Sequence, residues 1–178
     1  EKNYLKKHII KKQMMSEIKT TVRPTWDDEM RKELAQIVGK QVNQWCNNET
    51  PLEDCVETAD KILQFHSNDN GYEIAREFER EGFSPDSDLV DILDSVSYDK
   101  NDILDKQIKK WVIQNELKPQ LVKGQKVIAN IVRKGEIECE IVKVYPDTMQ
   151  YGLWYEGIGY IKYSGHAVVN CENILRVV

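Results

Sequence analysis

The spacing of apolar residues changes near Pro119, and this change constrains the fold more than any other feature of the chain. Between Pro24 and Pro119, apolar residues recur at steps of three and four, which is the spacing of one face of an α-helix. After Pro119 they alternate with polar residues, as in a strand with one buried face. Segregated helical and strand patterns predict an α+β fold, an acidic helical bundle followed by a small β-barrel.

About five amphipathic helices are predicted in residues 16–118. The first has an apolar stripe running from Trp26 to Trp45, and Leu52 belongs to the predicted buried face of the second. Gly82 is expected to end the third helix in a left-handed cap. The predicted helix starts are Thr25 as a cap, Thr50-Pro51, the turn at 67–71, Ser84-Pro85, and Asp99.

Short strands follow in residues 119–178, separated by turn residues. We predict strands at 127–132, 137–141, 149–153, 160–163, 167–169 and 174–178, with a single 3₁₀-like turn before the last. Glu136, Glu138 and Glu140 alternate with apolar residues and indicate a strand with one solvated face. Strands this short in about sixty residues must close on themselves to bury a core, so we expect a small barrel.

Three segments carry a resemblance to a known fold. They are Lys123-Gly124-Gln125-Lys126-Val127, the strand from Glu138 to Val144, and the final turn and strand from Glu172 to Val177. Together they resemble an SH3-like barrel of the Tudor or KOW kind. The resemblance covers residues 119–178 and rests on the rhythm of the strands. It implies a binding module, which in Tudor-like barrels uses aromatic residues and in KOW-like barrels often contacts nucleic acid.

Charge is distributed unevenly along the three predicted parts of the chain. Residues 1–15, a basic appendage that could form a short amphipathic helix, contain five Lys and one Glu. Residues 16–118 contain 13 basic and 23 acidic residues, and residues 119–178 contain 7 basic and 6 acidic residues. An acidic domain repels nucleic acid and attracts basic partners. With no apolar run long enough for a membrane span and no signal-peptide pattern, we expect a cytoplasmic protein without a membrane partner.

Carboxylates recur about every third residue in the fourth and fifth predicted helices. This spacing places several of them on an outward helix face. We interpret this face as a surface for a basic partner protein, the alternative being an ordinary solvated face. The residues predicted to meet the partner are Asp88, Asp91, Asp94, Asp99 and Asp102.

Aromatic residues of the barrel form the second predicted partner-binding set. They are Trp154, Tyr155, Tyr160 and Tyr163. Large aromatic side chains supply much of the energy at protein interfaces. Two alternatives stay open: these side chains belong to the core, or they form the cage for methylated Lys or Arg that the Tudor resemblance implies.

Basic residues near the strand ends define an alternative function, nucleic-acid binding through the KOW-like barrel. They are Lys123, Lys126, Arg133, Lys134 and Lys143. Affinity for nucleic acid depends on gathering positive charge against phosphates. Convergence of these five residues on one face would favour nucleic acid, whereas an exposed aromatic patch would favour a protein partner.

No catalytic motif, metal site or cofactor site is predicted. The histidines lack a motif partner, and Cys46, Cys55 and His66 are spaced unlike zinc ligands. We expect Cys46, Cys55, Cys139 and Cys171 to be reduced thiols packed as small apolar groups. A small enzyme of unrecognised type is the third alternative.

These observations predict a non-catalytic regulator that binds another protein. The chain has 19 Lys and 6 Arg, a bias typical of AT-rich genomes, which include those of many bacterial viruses. A concrete form of the prediction is therefore a bacteriophage-encoded inhibitor or modulator of a host enzyme such as a protease, nuclease or polymerase, acting in the host cytoplasm. A homodimer formed through the first helix stays open as a further alternative.

Overall fold

The computed structural model describes residues 22–158 and 165–178 and confirms the α+β class. Helices come first along the chain, and an antiparallel sheet follows. The helices are α1 (Asp28–Trp45), α2 (Leu52–His66), α3 (Gly71–Arg80), α4 (Ser87–Leu93) and α5 (Val96–Gln114). The strands are β1 (Lys126–Ile131), β2 (Gly135–Tyr145), β3 (Gln150–Trp154), β4 (Ala167–Asn170) and β5 (Ile174–Val177), and 3₁₀ turns lie at Pro146–Thr148 and Cys171–Asn173.

The chain divides into two compact units. The helical unit is Pro24–Gln107, and the sheet unit consists of Glu1–Arg23 together with Ile108–Val178. Of the sheet unit, residues 22–23, 108–158 and 165–178 are described. The division falls within α5, whereas the sequence places a boundary at 118/119 from the change of period. That boundary stays a prediction.

The helical unit has a core that the 3.6-residue pattern accounts for. Each helix turns an apolar stripe inward, and the side chains of that core are buried almost completely. α1 and α2 approach closely at Gly39, where an added Cβ would lie 2.5 Å from Val56 Cγ2 and 2.7 Å from Val56 Cα. Fully buried members of this core include Leu34, Val38, Val42, Cys55, Ala59, Leu63, Ile74, Phe78, Leu89 and Leu93.

The helix starts differ from the predicted ones by a few residues because nearby side chains compete as caps. Asp27, and not Thr25, caps α1, since its carboxylate accepts a hydrogen bond from Met30 N at 2.9 Å. Pro51 occupies the cap position of α2 without a side-chain cap. Leu52, predicted to be buried, is 40% exposed because it lies in the first turn of α2, outside the packed face.

Local groups define both ends of α3 and the start of α4. Asn70 and Glu73 form a capping box at the start of α3. Gly82 follows α3 with φ +96°, the left-handed conformation predicted for it. Asp86 caps α4 by accepting from Leu89 N at 3.0 Å, and it also accepts from Trp45 Nε1 at 2.9 Å.

The sheet unit contains five antiparallel strands in the order β4-β3-β2-β1-β5. Five of the six predicted strands correspond to these within a few residues, and the sixth, at 160–163, lies outside the described residues. Buried and more exposed residues alternate along β1, and apolar and charged residues alternate along the first part of β2, which places Val127, Ala129 and Cys139 on one buried face. The register shifts between Ile141 and Lys143 in β2. Closure of this sheet into a barrel stays a prediction.

Arg23 ties several parts of the sheet unit together. Its guanidinium donates to Thr148 O at 2.9 Å and to Met149 O at 2.7 Å, which are carbonyls at the first 3₁₀ turn. It also pairs with Glu172 Oε1 at 2.8 Å, in the second 3₁₀ turn, and lies 5.4 Å from the ring centroid of Trp111. One largely buried cation therefore bonds to carbonyls at the first 3₁₀ turn and to a carboxylate in the second.

Candidate protein-interaction site

The five predicted carboxylates of α4 and α5 are in two different situations. Asp88, Asp91 and Asp102 are exposed. Asp94 Oδ1 accepts a hydrogen bond from Gly71 N at 2.7 Å, and Asp99 Oδ2 accepts one from Ser95 Oγ at 3.1 Å. Asp94 and Asp99 therefore have structural partners, while the other three are available to an external one.

The division into units sharpens the charge imbalance that the sequence indicates. Residues 24–107 contain 21 acidic and 8 basic residues, a net charge of −13. Residues 1–23 and 108–178 contain 9 acidic and 17 basic residues, a net charge of +8. A charge of −13 on 84 residues produces a strong negative potential, which favours approach of a positively charged surface.

Three aromatic side chains of the helical unit are largely exposed. Phe65 on α2 is 77% exposed, Tyr72 on α3 is 62% exposed and Tyr98 on α5 is 75% exposed. Each lies off the apolar stripe of its helix, so the core does not require it. Exposed aromatic residues that make no core contribution are typical of protein-binding surfaces.

Hydrogen bonds bring the chain segments that carry these aromatics together. Gly71, next to Tyr72, donates its N–H to Asp94 at the end of α4. An added Cβ at Gly71 would collide with Val90 O, so α3 begins in direct contact with α4. Lys100 Nζ, two residues after Tyr98, donates to Ser67 Oγ at 3.1 Å.

Lys100 is an internal cation of the helical unit. Its ammonium lies 4.8 Å from the ring centroid of Trp26 and donates to Asn68 Oδ1 at 2.6 Å as well as to Ser67. Burial lowers the pKa of Lys100. One of the few cations of the helical unit is thus used to join α5 to the α2–α3 turn, and the exposed carboxylates keep their excess of negative charge.

The five basic residues of the nucleic-acid alternative do not gather at one end of the sheet. Lys126 begins β1 and pairs in register with Glu140, whereas Arg133 and Lys134 form the turn after Ile131. Five residues of extended chain separate the two ends of β1 by roughly 17 Å. Lys126 is also engaged by Glu138 Oε1 at 3.3 Å.

Lys143 belongs to a cluster on the sheet that sequence reasoning missed. Its ammonium lies 4.6 Å from the ring centroid of Tyr145, and the Tyr145 hydroxyl is 2.8 Å from His166 Nε2. An added Cβ at Gly152 would lie 2.7 Å from His166 Cδ2, so only glycine leaves room for the imidazole. The motif was not visible in the sequence because the register of β2, β3 and β4 brings these residues together.

Of the predicted barrel aromatics, Trp154 and Tyr155 are each half-buried. Trp154 pairs in register with Glu140 of β2. Tyr160 and Tyr163 lie outside the described residues. The exposed aromatics of the chain, within its described parts, are therefore those of the helical unit and not those predicted for the barrel.

A metal site needs several His, Cys, Asp or Glu side chains close together. Among the residues described, no group of three or more His, Cys, Asp and Glu could hold a metal ion. His66 Nδ1 is 2.7 Å from Asp69 Oδ2, and all four cysteines are free thiols. In the same part of the chain, no helix is both long enough and apolar enough to cross a membrane.

Comparison of the chain with family models, curated proteins and solved structures found no match.

The exposed aromatics did leave a signal in the sequence. The predicted inward faces of the second and third helices omit Phe65 and Tyr72, which leaves a large aromatic on each outward face, and Tyr98 comes just before the predicted start of the fifth helix at Asp99. An aromatic residue on the polar side of an amphipathic helix has no folding role to explain it. What could not be deduced was that Lys100 and Asp94 join the segments that carry them, because both reach residues far away in the chain.

Proposed function

We propose that this protein is a non-catalytic regulator that binds another protein through its acidic helical unit. The observation that carries the proposal is the combination, in a unit of net charge −13, of the exposed aromatics Phe65, Tyr72 and Tyr98 with the exposed carboxylates Asp88 and Asp102. Protein interfaces commonly combine a few aromatic anchors with a charged rim that selects the partner.

The two kinds of residue would do different work in such an interface. The carboxylates would steer a basic surface toward the helical unit and raise the association rate. The aromatics would be desolvated on contact, and each buries a large apolar area at a small cost in side-chain entropy. The partner is thus expected to present Lys or Arg residues around apolar pockets.

A concrete form of this proposal is a bacteriophage-encoded inhibitor or modulator of a host enzyme, such as a protease, nuclease or polymerase, in the host cytoplasm. Enzymes that act on nucleic acid expose basic surfaces, which suit an acidic binder. The bias to Lys in the composition is compatible with such an origin.

For the sheet unit we propose an SH3-like barrel. Three features support it: the strand order β4-β3-β2-β1-β5, the return of β5 to pair with β1, and the 3₁₀ turn that precedes β5. The shift of register after Ile141 would supply the bend in β2 that closure needs. A binding role for Trp154 and Tyr155 on this barrel belongs to the same proposal.

Nucleic-acid binding by the sheet unit is the second candidate. The net charge of +8 on residues 1–23 and 108–178 favours it. The separation of Lys126 from Arg133 and Lys134 along β1 weighs against it, because a phosphate backbone needs a continuous track of cations. The Glu138 carboxylate beside Lys126 weakens the track further.

The test is capture of partners from a bacterial lysate by the tagged full chain, with and without nuclease, read by mass spectrometry. We expect one dominant basic protein that survives nuclease and is captured less as salt is raised from about 0.1 to about 0.5 M. Loss of the captured proteins after nuclease treatment would contradict this proposal and favour nucleic-acid binding.

Matched variants locate the surface. Phe65→Ala, Tyr72→Ala and Tyr98→Ala should leave stability within about 0.5 kcal/mol, because exposed side chains contribute little to folding. Each should weaken binding of the purified partner by about 5- to 30-fold. Val132→Ala, at an 83% exposed aliphatic residue of the sheet unit, is the control and should bind normally. Equal loss in the control, or none in the three aromatic variants, would place the interface elsewhere.

A further inference from the structure

Two of the four cysteines are neighbours across the connection between α1 and α2. Cys46 follows α1, and Cys55 lies in the first turns of α2. The two thiols interact, because a hydrogen bond between their side chains contributes to the lowered pKa of Cys46 and to the raised pKa of Cys55. The pair is nine residues apart in the sequence, so a bond between the sulfurs would close a short loop.

Hydrogen bonds to two residues that are themselves linked also place the sulfurs in one network. The neutral Cys46 thiol donates to Asn43 O at 3.3 Å, and the Cys55 thiol lies 3.9 Å from Thr50 O. Asn43 Nδ2 in turn donates to Thr50 O at 2.7 Å. One small network of Asn43 and Thr50 therefore holds both sulfur atoms.

The connection between the two cysteines contains a tight backbone turn. Asn47 and Asn48 have φ values of 54° and 63°, in the left-handed region that Asn adopts more readily than most residues. Glu49 N then donates to Cys46 O at 3.0 Å. Thr50 is thereby turned back toward the end of α1, next to Cys46.

We propose that Cys46 and Cys55 form a redox-active dithiol that is oxidised to a disulfide by thiol–disulfide exchange with a low-molecular-weight disulfide of the glutathione class. Cys46 is the attacking residue because it is half-buried, whereas Cys55 is fully buried and reaches a mixed disulfide only from within. The proposal does not depend on the proposed partner.

The acidity of the two thiols agrees with these roles. Burial by itself would raise the pKa of Cys46, but hydrogen bonds from the backbone and hydroxyl of Thr50 and from the Cys55 thiol outweigh it and lower the pKa. Burial, followed by the charge of the adjacent Cys46, raises the pKa of Cys55 to about 11. Cys46 is thus the better thiolate, and Cys55 keeps its proton until the second step.

The reaction balances in two steps. The Cys46 thiolate attacks one sulfur of the small disulfide, the sulfur–sulfur bond breaks, and one small thiolate leaves as the mixed disulfide forms on Cys46. Cys55 then loses its proton to the departing thiolate or to water, attacks the Cys46 sulfur and displaces the second small thiol. The protein gives up two electrons and two protons, and the small disulfide is reduced to two thiols.

The experiment exposes the reduced full chain to oxidised glutathione, quenches with acid, alkylates remaining thiols and maps the peptides by mass spectrometry. We expect a Cys46–Cys55 disulfide, recognised by loss of two hydrogen masses. The buried Cys139 and Cys171 serve as internal controls and should react at least about tenfold more slowly than Cys46.

Two variants assign the roles. Cys55→Ser should accumulate the mixed glutathione disulfide on Cys46, and Cys46→Ser should prevent both the adduct and the disulfide. Circular dichroism verifies that each variant is folded, and Cys55→Ala replaces Cys55→Ser if the hydroxyl is not tolerated in the buried site. Modification of Cys139 or Cys171 as fast as Cys46, or a wild-type protein without the Cys46–Cys55 disulfide, would overturn the proposal.

Discussion

Gly39 is the position where a single methyl group tests the packing of the helical unit most directly. In an exposed helix, Gly→Ala stabilises by about 1 kcal/mol through helix propensity. At Gly39 the new Cβ would lie 2.5 Å from Val56 Cγ2, 2.7 Å from Val56 Cα and 2.8 Å from Val56 N, where ordinary contact begins at 3.4 Å. The Val56 methyl can rotate, but its backbone atoms cannot.

Relief of the contact therefore requires α1 and α2 to separate by roughly 0.7 Å, the difference between 2.7 and 3.4 Å. Overpacking of this kind costs about 1–3 kcal/mol in a close-packed core. Separation of the helices would also loosen the buried contacts of Val38 and Val42 on the same side of α1. After the gain in propensity of about 1 kcal/mol, we expect Gly39→Ala to lower the free energy of unfolding by about 0–2 kcal/mol.

Urea denaturation followed by circular dichroism at a helix-sensitive wavelength measures this change. Gln36→Gly and Gln36→Ala, at an exposed site of α1, form the control pair and should differ by about 1 kcal/mol in favour of Ala. Val56→Ala removes the nearest atom only, so in a double-mutant cycle it should relieve less than half of the cost. A Gly39→Ala protein more stable than wild type would refute the close approach, and complete relief by Val56→Ala would refute the role of the backbone.

Three further perturbations test the sheet unit. Arg23→Lys keeps the charge but loses the fork that donates to two carbonyls, and it should lower the free energy of unfolding by about 1.5–3 kcal/mol in urea melts, with Arg23→Ala at least as damaging. Tyr151→Phe leaves Leu121 N, which donates to the Tyr151 hydroxyl at 3.1 Å, without its partner, and should cost about 1–3 kcal/mol; a neutral effect would show that water replaces the hydroxyl. Burial raises the pKa of Cys139 to about 11 and that of Cys171 to about 12, from an ordinary 9.0. Because the folded state retains these protons, stability is complete below pH 9 and should be lost as pH rises through about 12, and Cys171→Ala should reduce that slope in thermal melts with reductant present.

The regular elements of both units could be predicted because their signals are local. Periodicity alone located the helices, and turn residues such as Gly82 marked where one of them ends. The errors at helix starts are also local: Asp27 and Thr25 are both competent caps, and the choice between them depends on which side chain reaches a free N–H. The prediction that Leu52 is buried was wrong, because periodicity does not indicate where along a helix packing begins.

The contacts that define the candidate sites could not be predicted, since they join residues that are distant in the chain. Arg23 reaches Glu172 across 149 positions, and no local pattern distinguishes it from a surface arginine. The cluster of Tyr145 and His166 depends on the register of two strand pairs. It also needs glycine at position 152, because a side chain there would occupy the space of the His166 imidazole. Cys46 and Cys55 were considered as metal ligands by spacing, whereas their relation depends on the left-handed turn between them.

Negative charge by itself does not specify a partner, because any basic surface is attracted to it and salt screens the attraction over about 10 Å. Selectivity has to come from groups whose contribution depends on contact, and in the proposed interface those are the exposed Phe65, Tyr72 and Tyr98. Lys100 and Asp94 join the segments that carry these residues, through hydrogen bonds to the α2–α3 turn and to Gly71. In the proposed interface the charged residues therefore divide into those with structural partners and those, such as the exposed Asp88, that would steer a partner toward it. An interface with this division should depend on salt mainly in its association rate, while its lifetime should depend on the aromatics.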